Sequence, residues 1–475
     1  MSLKLSIFTQ NHNIVIYKRV ELAIKRINYM SYLQFVLLHV LIGFVIYFQR
    51  SSASILLLAT WVGLFFWIIL KNNRNNEALM AAAYIAGAEV FYRMNGAMIF
   101  YETGKYSVIL FLLIGMFYKG TSSKTVPFWI YLLVLFPGVV VASFTLDYDV
   151  VFRKAVAFNL SGPVCLGVSA LYCYYKRITF NHFNYVLLML LLPLVANLSY
   201  LFFYTPSIGE ALMSGTNSNY ATSGGYGPNQ ISAVMGLGAF LVCTRLFVFK
   251  DRVMNLIDII LLALFSYRAI ITFSRGGVLT AIICIATFIF IFYQKQNNIQ
   301  KSSLAKKLMF LLLSVVVIWS FTAIKTEGLI TYRYTNRNAA GELKSDITTG
   351  RAELIETELL AFYDSPVIGV GVGKAKKFRS EEAGTETASH NEISRLLSEH
   401  GMLGLVALLI LISVPIVFWT KFKNNYYFLA FMAFWFLTIN HSAMRIALPG
   451  FIYGLALLYI VDEKKDPVHR KRLAN

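Results

Sequence analysis

Charge is what this sequence has least of. Only 14% of its 475 residues are charged, against 57% hydrophobic, and the mean hydropathy is +0.61. A soluble domain is about half apolar and about a quarter charged, so a soluble globular class is excluded. Acids are scarcer than bases, with 24 Asp and Glu against 43 Lys and Arg and a net charge of +19. Such an excess invites a nucleic-acid reading. Here the bases are dispersed between hydrophobic runs rather than set in a stripe, and no nucleic-acid partner is expected. Cysteine is nearly absent. Cys165, Cys173, Cys243 and Cys284 all lie within apolar runs, without disulfide or metal-ligand spacing, and read as small packing residues. No period of about 20–50 residues repeats, and no low-complexity linker sets off a soluble domain.

What fills the chain is hydrophobic runs. The first begins near Met30 behind a basic segment and more than a dozen follow, which reads as a first span and not as a cleaved signal peptide. The expected fold is an all-α polytopic membrane protein with about 12–14 transmembrane helices and one long loop containing short helices. Residues 1–29 place Lys18, Arg19, Lys25 and Arg26 around Val20, Ala23, Ile24 and Ile27, the spacing of an interfacial amphipathic helix. Spans fill 30–323, a polar loop covers 324–401, further spans fill 402–461, and 462–475 is a basic tail. The runs near 106 and 427 are short for a bilayer. Alternate loops concentrate bases, as at Lys71 and Arg74, Lys119 and Lys124, Lys176 and Arg177, and Lys421 and Lys423. By the positive-inside rule both termini then face the cytoplasm, while the 324–401 loop and the turn carrying Arg275 face the other side.

Few polar groups remain to carry chemistry. Arg275 ends one span and two glycines follow it, which permits a tight turn and close approach of a ligand. A lone interfacial arginine also reads as snorkelling. Arg268, seven residues earlier and deeper in the membrane, favours a functional reading, with both arginines on one helical face. Arg351 opens a helix in which Ala352, Ile355, Leu359 and Phe362 share a face, ended by Asp364-Ser365-Pro366. A cation in a first helical turn opposes the macrodipole, but an anion there would meet both guanidinium and free N–H groups. Ser389-His390-Asn391-Glu392 has the form of a capping box with Ser389 as N-cap, which would hold His390 rigidly in a first turn. A histidine so held is either structural or a competent base near neutral pH. Gly369 to Gly373 lacks the Gly-Lys-Ser/Thr ending of a phosphate loop and reads as a flexible turn. Asp147 and Asp149 are a weak metal-site signal and read first as a solvated turn. Glu89 and Arg93, at i and i+4 inside one span, are expected to pair.

Together these stretches resemble the O-antigen ligase and O-antigen polymerase superfamily of bacterial inner-membrane proteins. The resemblance rests on Ser274 to Gly276, on Gly350-Arg351 with Pro366 to Gly371, and on His390-Asn391 followed by Glu399 to Leu405. Gly227-Pro228-Asn229-Gln230 adds an Asn-containing element at the head of an earlier span, and the set runs in order over about residues 220–405. The resemblance implies an inverting glycosyltransferase that needs no cofactor or metal. It would move a glycan from undecaprenyl diphosphate to a sugar hydroxyl at the periplasmic face. The acceptor would be lipid A–core for a ligase or a growing glycan for a polymerase. His390, Arg275 and Arg351 would be catalytic, with Arg268, Asn229, Asn391 and Glu392 contributing to binding or positioning. A flippase or transporter of lipid-linked oligosaccharide is the rival of another class. It would carry charge through the membrane's full depth, whereas here the charges gather at one face.

Overall fold

A computed structural model describes residues 29–205, 215–345, 350–383 and 389–461. The amphipathic segment before Tyr29 and the basic tail after Val461 therefore lie outside the described residues. The protein is an all-helical polytopic membrane protein, and ten of its described helices are long and apolar enough to cross a membrane. Four more expected spans also form helices, Glu77–Met94, Thr103–Lys119, Phe428–Ser442 and Leu448–Ala456, which fall short of that measure. The only strands among the described residues are Arg177–Thr179 and Tyr459–Val461. They pair in parallel, with Ile178 opposite Ile460, and tie the end of the chain to its middle.

Burial separates inner helices from outer ones. Pro228–Val248 is apolar all round and buried along nearly its whole length, packed by Arg252–Ile271 and Arg275–Gln294. Glu77–Met94 is equally enclosed, between Phe180–Tyr204 and Thr103–Lys119. The Asn298–Lys325 helix instead exposes Leu312, Leu313, Val315, Val316 and Val317. A run of this kind is unstable against water and suits lipid.

The polar segment is fastened to one end of this bundle. Arg333 donates from Nε to the Phe273 carbonyl at 2.9 Å, and Thr145 Oγ1 donates to the Val370 carbonyl at 2.9 Å. The glycine run is not the flexible turn expected. Val370 N reaches the Ser398 carbonyl at 2.9 Å, Val372 N the Gly138 carbonyl at 3.0 Å, and Gly373 N the Glu399 carboxylate at 2.9 Å. Gly371, at φ +96°, lies against the backbone of Ala142, where a Cβ would come within 2.8 Å of its nitrogen. Glycine here serves close packing between a strap and two helices.

Candidate active site

The turn between Arg252–Ile271 and Arg275–Gln294 sets the geometry. Phe273 is buried and held at φ +56°, a left-handed conformation unusual for an aromatic residue. Its carbonyl takes the Arg333 bond. Ser274 follows as N-cap residue, but its hydroxyl does not cap the helix. It donates to Asn229 Oδ1 at 2.8 Å and lies 3.1 Å from His441 Nε2. The two glycines after Arg275 have separate reasons. A Cβ on Gly276 would lie 2.4 Å from the His441 ring, and one on Gly277 would lie 2.3 Å from the Ser232 backbone. The first lets the imidazole lie on the turn, and the second lets two helices touch.

His441 links this turn to Arg351, whose Nη1 is 2.8 Å from Nδ1 of the ring. A guanidinium only donates, so Nδ1 must accept and the proton sits on Nε2. Nε2–H then donates to Ser274 Oγ, whose own hydrogen goes to Asn229. Every bond in this row has a fixed direction, and His441 stands neutral beside cationic Arg351. Arg351 opens the helix Arg351–Asp364 behind Gly350, at φ +78°, with no side chain capping the helix start. Burial first, and then the charge of Arg275, lowers the pKa of Arg351. Arg333 is lowered to about 10, by burial first and then by Arg275 and Arg351. The three guanidiniums are therefore near enough to repel one another, and an anion among them would relieve that repulsion.

Asn229, Arg351 and His390 line one cavity of about 510 Å³, joined by Tyr220, Gln230 and Arg445. His390 Nδ1 is buried without a hydrogen-bond partner among the described residues. Burial lowers the His390 pKa to about 4, helped by the charges of Arg445, Arg351 and Arg379. The imidazole is thus neutral at neutral pH and able to accept a proton.

His390 is held differently from the capping box expected. Asn391 is the N-cap, its Oδ1 accepting from Ile393 N at 2.8 Å and Ser394 N at 3.2 Å. The helix Glu392–His400 therefore begins after His390, and Ser389 Oγ instead bonds backbone groups of Asn391. Glu392 does not reach back to the cap. It is fully buried, pairs with Arg395 and accepts from Met444 N at 3.0 Å. Serine and asparagine both cap well, and the tertiary partners of Glu392 decide which of them does. Asn391 and Glu392 are thus engaged in shaping the backbone behind His390.

Arg268 is the clearest departure. The turn at 272–274 ends its helix, so the seven-residue spacing does not align it with Arg275. Its side chain is buried and donates to the carbonyls of Leu201 at 2.6 Å and Thr222 at 3.3 Å. It is a brace under the 220–227 loop.

Three contributors escaped the sequence reading: His441, Arg333 and Arg445. Arg445 Nη2 donates to the Ser389 carbonyl at 2.7 Å, and Ala443 N to the His390 carbonyl at 3.1 Å. Glu89 and Arg93 do pair, as expected. They also hold this turn, Arg93 through the Arg445 carbonyl at 3.0 Å and Glu89 through Ala447 N at 2.6 Å. Asn440-His441 at the end of an apolar run is an ionisable signal that intramembrane rules would flag. Arg333 carries no such signal.

Residues 260–409 match a family model described as O-antigen ligase. That third of the chain is similar to an O-antigen ligase domain. Arg275, Arg333, Arg351 and His390 lie within that domain, whereas Asn229, His441 and Arg445 complete the site from outside it. Searches of curated proteins and of solved structures match nothing to this chain. O-antigen ligase domains belong to membrane enzymes of polysaccharide biosynthesis that use lipid-linked glycans.

Proposed function

We propose that this protein transfers a glycan from undecaprenyl diphosphate to an acceptor sugar hydroxyl at the periplasmic face of the bacterial inner membrane, in the manner of an O-antigen ligase. The observation that carries the reading is that Arg351 lines one cavity with a neutral histidine, His390, while the charges of Arg275 and Arg333 lie close to that of Arg351. Guanidiniums match phosphate oxygens with charge-assisted, bidentate bonds. Arg275 and Arg351 hold the diphosphate and stabilise the charge it gains on leaving. His390 takes the proton of the attacking hydroxyl. The hydroxyl oxygen bonds to the anomeric carbon as the bond from that carbon to the diphosphate oxygen breaks, and undecaprenyl diphosphate departs. One displacement inverts the anomeric centre. Undecaprenyl diphosphate leaves as a stable anion, so no general acid or metal is required. Both termini lie in the cytoplasm on this reading.

Chain extension by the same chemistry, as in an O-antigen polymerase, differs only in the acceptor. The test is transfer by the purified protein from undecaprenyl-diphosphate glycan to lipid A–core or to a second glycan. Movement of lipid-linked sugar across vesicles without a new glycosidic bond would overturn the transferase reading in favour of a transporter.

A further inference from the structure

A second and larger cavity, of about 1030 Å³, shares a wall with the first. Ser389 lines this cavity and His390 lines the other, so the two cavities are lined by consecutive residues. Its lining holds five cationic side chains against two carboxylates, Asp147 and Asp149. Lys154 comes from the start of the Phe152–Cys173 helix, and Lys374, Lys376, Lys377 and Arg379 from the start of Ala375–Ala383 and the residue before it. Asp147 organises two of these lysines, accepting from Lys377 at 2.9 Å and Lys374 at 3.4 Å. Arg379 is buried against Glu358. Lys154 and Lys376 are exposed and add further positive charge. The rest of the lining includes an aromatic ring, Phe158, and the neutral hydrogen-bonding groups of Asn159, Ser380 and Ser389.

A ring face, amide and hydroxyl groups, and an excess of lysines together suit a sugar that carries negative charge. A transferase needs a second substrate to reach its base from a direction the diphosphate does not occupy. We propose that this cavity receives the acceptor, and that the acceptor is an anionic saccharide bearing phosphate or carboxylate groups. The inference rests on the transferase reading. Lys154 and Lys376 attract the acceptor's anionic groups, and its hydroxyl approaches His390 past Ser389. Asp147, which holds Lys374 and Lys377 in the cavity lining, has a structural task.

The test uses the full-length protein in lipid with undecaprenyl-diphosphate glycan as donor. Acceptors are phosphorylated lipid A–core and a uronic-acid glycan, each compared with its dephosphorylated or carboxyl-reduced form. The double variant Lys154→Glu, Lys376→Glu changes two exposed side chains, and thermal unfolding checks that it folds. The acceptor KM is expected to rise about tenfold or more while the donor KM stays unchanged. The wild type should lose the same factor when the anionic groups are stripped, and the variant should be indifferent to them. Which stripped acceptor suffers identifies phosphate or carboxylate as the recognised group. Wild-type transfer with an acceptor KM unaffected by either change would overturn this inference alone. Absence of transfer to any acceptor would overturn the transferase reading and this inference with it.

Discussion

The pH dependence of transfer gives the sharpest test of the His390 assignment. An ordinary histidine has a pKa near 6.5 and at pH 5.5 is only about one-tenth neutral. His390 is depressed to about 4, first by burial and then by Arg445, Arg351 and Arg379, so at pH 5.5 nearly all of it remains a competent base. Depression means protons bind later as pH falls, which moves the acid limb down. The acid limb of kcat/KM, which reports the free enzyme, should therefore lie close to pH 4 and well below 6.5. A bound diphosphate places negative charge beside the ring and partly cancels the arginines, which raises the pKa. The limb of kcat, which reports the complex, should then lie above that of kcat/KM. Arg445→Gln removes the most influential of the neighbouring charges and should move the kcat/KM limb upward. His390→Ala should lower transfer by about 10²–10⁴, leave donor binding nearly intact, and abolish the limb. A limb at 6.5, or one that survives in His390→Ala, would refute the assignment of His390 as base.

Arg275→Ala and Arg351→Ala should each weaken donor binding and slow transfer, because the leaving group gains charge in the transition state. Lysine should restore only part of the loss, as titration with lipid-linked donor and single-turnover rates would show. Gly276→Ala puts a methyl 2.4 Å from the His441 ring, which must move off Arg351 and Ser274. The expected result is about 1–3 kcal/mol of lost stability and about 10²-fold slower transfer, read by thermal unfolding and rate. Glu89→Gln leaves buried Arg93 without its counter-charge. Breaking such a pair costs about 3–5 kcal/mol and should loosen the turn behind His390, visible as a lower Tm with slower transfer.

Much of the architecture was legible because hydrophobic runs report helices directly. The expected spans fall on helices, including the short ones near 106 and 427, which form Thr103–Lys119 and Phe428–Ser442, except that the last is helical only over Leu448–Ala456 and ends in the strand Tyr459–Val461. Arg275, Arg351 and His390 were legible as polar exceptions near helix ends, and Asn229 only through the family resemblance. The errors have one common cause, which is dependence on partners distant in sequence. The glycine run reads as flexible until Gly138, Ser398 and Glu399 are seen to bond it. Ser389 and Asn391 are equally good caps until Glu392 is drawn to Arg395 and Met444. Arg268 looks aligned with Arg275 until the turn at Phe273 breaks the helix.

The charge distribution also accounts for a neutral imidazole, His441, beside Arg351. Buried guanidiniums are costly unless something accepts their hydrogen bonds. A carboxylate beside Arg351 would stabilise the empty site, but it would also compete with a diphosphate for the same fork. A neutral imidazole accepts one bond from Arg351 without adding negative charge, and passes its own proton toward Ser274 and Asn229. Arg333 is held in the same way, by the carbonyl of strained Phe273. Arg351 and Arg333 are thus each positioned by a neutral acceptor, which adds no negative charge to the site.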